Sequence, residues 1–161
     1  MKKERIADLL AEINDELLLL DKLIGDIENV SKVIPADEEH KAVYEESLAL
    51  KLHNFYTGIE RIFEKIAEDV NGGVPASYDW HKRLLKTMSL EITDVRPPVI
   101  SKETAKLLHE FLAFRHVVRN IYGFELDSER LTRLIEKSKE VFGRFKQDLQ
   151  DFLQFLDKLN K

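Results

Sequence analysis

The sequence predicts an all-α fold, an antiparallel helical bundle of about five helices, and three observations predict it. Apolar residues recur at spacings of three and four along most of the chain, and no stretch alternates as a half-buried strand would. The 6 glycines and 4 prolines gather at few points, which marks breaks between long helices. In 161 residues, 43% hydrophobic and 34% charged, the expectation is a single domain over 1–161 built around one core.

Each element follows in order. Ile6, Leu9, Ile13, Leu17, Leu20, Leu23, Ile24, Ile27 and Val30 hold an amphipathic spacing that predicts a first helix over 4–31. Pro35 stops it, and Asp37-Glu38-Glu39 suits the first turn of a second helix over 37–70. The stripe of that helix, Leu48, Leu52, Phe55, Ile59, Ile62, Ile66 and Val70, is nearly heptad-spaced and predicts antiparallel packing along the first. Asn71 to Ser77 (NGGVPAS) is a turn, after which Asp79 is expected to cap a helix over 79–92 with Leu84, Leu85, Met88 and Ile92 on one side. Residues 94–101 hold Pro97 and Pro98 and are expected to run largely extended. Ser101 caps a fourth helix over 101–122, closed by Gly123. Asp127 or Ser128 caps a fifth over 128–159, with the stripe Leu131, Leu134, Ile135, Val141, Phe142, Phe145, Leu149, Phe152, Leu156 and Leu159.

Composition excludes several chemistries. With no cysteine there is no disulfide scaffold, thiol nucleophile or cysteine-based zinc site. The opening residues are charged without an apolar run, so no secretory signal is read and a cytoplasmic location is expected. The longest purely apolar runs, Leu17–Leu20 and Phe111–Phe114, fall far short of the roughly 20 residues that cross a bilayer, so no membrane role is expected. Asp37-x-x-His40 has helical ligand spacing but no Glu-x-x-His pair beside it, and Gly72-Gly73 lacks the lysine of a phosphate loop; neither metal nor cofactor is expected. His53, His81 and His109 read as scattered, and Asp79-Trp80-His81 as a cap with a packed aromatic. Net charge is −5, but residues 1–70 carry 9 basic and 17 acidic side chains whereas 71–161 carry 16 and 13, so positive charge sits late.

The informative stretch is Phe111 to Asp127, FLAFRHVVRNIYGFELD. On a helical projection, Leu107, Phe111, Phe114, Val117, Val118 and Ile121 cover one arc, while His109, Arg115, His116, Arg119 and Asn120 occupy the adjoining arc. Two arginines one turn apart, with an imidazole and the phenol of Tyr122 near, suit an anionic ligand such as phosphate. On spacing alone the same arginines equally suit ion pairs with acids of a neighbouring helix, the histidines suit a surface, and Tyr122 suits a bundle aromatic.

At these residues the sequence resembles the HEPN superfamily of all-α ribonuclease domains, and within it the HepT-like toxins paired with an MntA-type nucleotidyltransferase antitoxin. The family motif is Arg, a polar residue, three or more residues, His, any residue, Tyr. Arg115, His116 and Tyr122 match it, and Asn120 stands where the family histidine belongs. LHNFYTGIERIF (52–63), DWHKRLLKTM (79–88) and VRPPVIS (95–101) extend the resemblance over roughly 45–145. It implies a type VII toxin–antitoxin component: metal-independent cleavage of tRNA or mRNA at a homodimer cleft, silenced when a small nucleotidyltransferase places AMP on Tyr122. It further implies that Arg115 serves the phosphate charge, with Arg119 beside it on the RNA. Asparagine cannot accept a proton, which leaves three readings: His116 substitutes, positioning by Arg115 and Asn120 alone sustains cleavage, or the domain binds without cleaving and presents or regulates a substrate for its partner. An acidic helical adaptor with no nucleic-acid role is the remaining alternative.

Overall fold

A computed structural model describes residues 2–120 and 126–161, with backbone only for Pro35 and Asn120. Helix α1 (Lys3–Val33) leads through two 3-10 turns, Ile34–Ala36 and Glu38–His40, into α2 (Lys41–Val70); α3 (Trp80–Met88), α4 (Lys102–Asn120) and α5 (Ser128–Asn160) follow. The described residues contain no strand, only an isolated bridge between Ile92 and Arg96. The all-α bundle is thus the observed fold.

Side-chain pairs fix the directions. Arg5–Asp69, Glu12–Lys65 and Glu16–Arg61 run α1 antiparallel to α2. Glu28–Lys139 and Asp21–Lys146 run it antiparallel to α5. Helix α2 touches all four others, and its predicted stripe from Leu48 to Ile66 is buried. Phe55 meets Phe111 of α4 edge-on at 5.4 Å and Phe142 of α5 at 6.1 Å, and Phe63 meets Phe145 at 5.9 Å. At Gly58 the Leu20 side chain of α1 packs so near that an added Cβ would stand 2.7 Å from its Cδ2.

The structure corrects the sequence reading at five places. Residues 38–40 are a 3-10 turn capped by Asp37 rather than the start of α2, because the Asp37 carboxylate accepts from the His40 amide and ring and from the Tyr44 hydroxyl, which holds a tighter turn. Asp79 stands at the start of α3 without capping it by its side chain; its carboxylate accepts from the Ser77 hydroxyl at 2.6 Å instead. Helix α3 ends at Met88, not at 92, since the loop consumes its last carbonyls: Val99 and Ile100 donate to Met88 O, and the Arg96 guanidinium donates to Thr87 O. The segment 94–101 accordingly folds back through Asp94, at φ 63°, rather than running extended.

The fifth correction concerns α4. Its buried line runs Thr104, Leu108, Phe111, Arg115, a helical i, i+4, i+7, i+11 series, with Leu112 and Phe114 flanking. Arg115 therefore belongs to the core-facing side, while Val117 and Val118 are only half-buried. Ser101 caps α4 as expected, its hydroxyl accepting from the Thr104 amide, and Asp127 caps α5 through the Glu129 and Arg130 amides. The expected end of the fourth helix at Tyr122 and Gly123, with Ile121, lies outside the described residues.

Candidate functional site

The turn after α2 sets the site. Gly72 (φ 86°) and Gly73 (φ 139°) reverse the chain in a region that only glycine enters freely, and the Gly73 amide closes α2 on Ala67 O at 2.8 Å. The chain then lays Tyr78, Asp79 and the first turn of α3 beside the second half of α4. With Arg130, fixed in the first turn of α5 by the Asp127 cap, these residues enclose an open groove of about 500 Å³.

Arg115, His116 and Arg119 all line this groove, joined by His81, Lys82, His109 and Arg130. The groove carries a single carboxylate, Asp79, held ionised by the Ser77 hydroxyl, its pKa lowered below the usual range. An all-round negative chain thus gathers cationic and imidazole groups on one concave surface, a pattern that attracts anions. Arg119 and His116 are exposed; Arg119 and Lys82 form no ion pair with a described residue. Arg130 lies over the Phe114 ring at 5.7 Å.

The floor is a buried charge network. Arg115, 6% exposed, donates from Nη1 to Glu60 Oε1 at 2.8 Å; Glu60, 3% exposed, takes His81 Nδ1 at 2.8 Å on its other oxygen. Arg115 Nη2 stands 3.0 Å from His81 Nδ1, and the guanidinium covers the Tyr56 ring at 5.6 Å. The ion-pair reading of Arg115 is therefore met: its charge is balanced within the chain by an acid of α2. Burial, and then the Glu60 charge, push the Tyr56 phenol up, and its hydroxyl has no hydrogen-bond partner among the described residues. Burial likewise raises the Glu64 carboxyl, helped by Glu60 and Glu68 and opposed by His81 and Arg115. No cluster of three His, Cys, Asp or Glu that could hold a metal occurs among the described residues.

Of the predicted site residues, the structure brings Arg115, His116 and Arg119 together. Asn120 is the last residue of α4, its side chain outside the described set, and Tyr122 lies outside the described residues altogether. Sequence reading missed Glu60 and His81. A carboxylate flanked by Tyr56, Ile59, Ile62 and Phe63 was the signal for the first. For the second, it was an imidazole in the first turn of a helix, where the backbone dipole disfavours a cation.

The sequence profile of a family described as HepT-like protein matches residues 47–156, from the second turn of α2 through most of α5 and including every element of the groove. The chain belongs to the HepT-like family. Neither a curated protein sequence nor a solved structure matches it. In this HepT-like protein α1 lies outside the matched segment, yet it contributes Ile6, Leu9, Ile13 and Leu17 to the shared core. No helix among the described residues is long and apolar enough to cross a membrane.

Proposed function

We infer that this protein is a HEPN-type ribonuclease toxin, acting as one domain in the cytoplasm. The observation that carries the reading is the groove: Arg119, Arg130 and Lys82 with three histidines in its lining against Asp79, over a floor in which Glu60 balances Arg115, within a family-matched fold. RNA phosphates would lie on Arg119, Arg130 and Lys82, whose charges no described acid takes up as an ion pair. Arg115 holds the floor, its Nη2 against His81. Cleavage is metal-independent: the ribose 2′-hydroxyl attacks the adjacent phosphorus, the developing negative charge meets the guanidinium groups, and imidazole handles the protons. His116 supplies such a ring beside Arg115, and Asn120 offers a polar contact in place of the family histidine. Pairing of two chains would bring two such grooves together as a homodimer. A partner nucleotidyltransferase that places AMP on Tyr122 would add a bulky anion three positions from Arg119 along the chain and oppose RNA binding.

The Arg115–Glu60 ion pair favours a second reading, a non-cleaving HepT-like module that binds its nucleotidyltransferase. The deciding experiment incubates the purified protein with total RNA in excess EDTA, beside an Arg119→Ala/Arg130→Ala double variant and Asn120→His. Cleavage by the native chain that fails in the double variant is the expected result. Cleavage by Asn120→His alone would make the native protein the non-cleaving module.

A further inference from the structure

The groove holds an imidazole that the family motif does not include. His81 comes from α3, not from the motif helix, and its ring is built in rather than adventitious. Glu60 Oε2 lies 2.8 Å from its Nδ1, the indole of Trp80 stacks on it at 3.6 Å and 30°, and the side chain is 29% exposed where it lines the groove. Two groups meet Nδ1: Glu60 Oε2 at 2.8 Å, which can only accept, and Arg115 Nη2 at 3.0 Å, which can only donate. We assign the hydrogen to Nδ1 on the shorter contact, to the carboxylate, which leaves the Nε2 lone pair 3.5 Å from Arg115 Nη2. Arg115 satisfies the other carboxylate oxygen, so Glu60 is anchored from both sides and cannot swing away. A buried carboxylate that fixes an imidazole, with the second nitrogen left basic, is the arrangement that orients histidine general bases.

Resting on the ribonuclease reading above, we propose that His81, oriented by Glu60, is the general base that the motif lacks at Asn120. In the step it serves, Nε2 takes the proton of the ribose 2′-hydroxyl while the 2′-oxygen bonds to phosphorus. The bond from phosphorus to the 5′-oxygen breaks, and that oxygen leaves with a proton from a groove acid, a role His116 can fill. The products are a 2′,3′-cyclic phosphate and a 5′-hydroxyl, and the His81 proton returns to solvent. The acid Glu60 is a positioning residue: it touches the ring, not the RNA.

The test compares the native chain with His81→Asn, whose amide keeps a donor for Glu60 without a base, and His81→Gln as a second variant, with thermal unfolding to establish that each is folded. The substrate is a single-stranded RNA in EDTA; a 2′-O-methyl copy reports binding without cleavage. The expected result is a fall in kcat of roughly 10²–10⁴-fold with KM and 2′-O-methyl RNA affinity nearly unchanged. Added imidazole should partly restore cleavage by His81→Ala, which a merely structural role would not allow. Native cleavage with undiminished kcat in both folded variants would overturn the assignment of His81 alone. Absence of cleavage by the native chain under every condition would overturn the ribonuclease reading and this assignment with it.

Discussion

Removing Glu60 should injure the protein more than removing both members of its ion pair. Glu60 and Arg115 are both buried and meet at 2.8 Å. Glu60→Leu leaves the Arg115 guanidinium inside the bundle with no carboxylate, and stripping one partner from such a pair costs about 3–5 kcal/mol. At this chain length, about 2–4 °C of Tm per kcal/mol converts that to a fall of roughly 6–20 °C. Arg115→Met is expected to cost less, about 2–3 kcal/mol, because Glu60 keeps the His81 ring as a hydrogen-bond partner. The double variant Glu60→Leu/Arg115→Met removes both charges and fills the space with apolar atoms, so it should unfold within about 1–2 kcal/mol of the native protein. Urea unfolding of the four proteins, with equal m-values as the check on two-state behaviour, measures the coupling. If the two single losses simply added in the double variant, the pair would not be the buried, mutually dependent unit described above. The cycle also separates loss of fold from loss of chemistry in any Arg115 variant tested for cleavage.

Two further outcomes concern stability. Arg96→Ala should cost about 3–5 kcal/mol, since the buried guanidinium donates to Asn71 Oδ1 and to the carbonyls of Thr87, Leu90 and Pro97 and no solvent path replaces all four; a urea midpoint within error of the native value would count against that hub. Glu64→Gln should stabilise the protein near pH 7. The folded chain holds the Glu64 proton more tightly than the unfolded chain does, so ionisation above the raised pKa works against folding. The gain should vanish below about pH 4, where the carboxyl is protonated in both states. A gain that persists in acid would assign it to something other than that charge.

The helices were legible because long amphipathic spacing survives any detail of packing: the stripes of α1, α2 and α5 are the buried residues almost one for one. Ends set by loops were not. Helix α3 stops at Met88 because Arg96, eight residues later, turns back onto its carbonyls, a contact no local pattern encodes. At the site, the motif arginine was legible and its environment was not. Helical projection puts Arg115 on the arc adjoining the apolar one, whereas the Thr104–Leu108–Phe111 line carries it inward toward Glu60. His81 looked isolated because its partners stand 21 and 34 positions away along the chain. Neighbourhood in a bundle comes from which helices touch, and that is decided by the whole set of stripes rather than by any one of them.

The stacking of Trp80 on His81 has an optical consequence. Trp80 is the only tryptophan in the chain, and its indole lies 3.6 Å from the imidazole between ring centroids. The protein therefore carries a native fluorophore seated against one groove histidine. Its emission, followed while an oligonucleotide is titrated in, reports occupancy of the groove without any label.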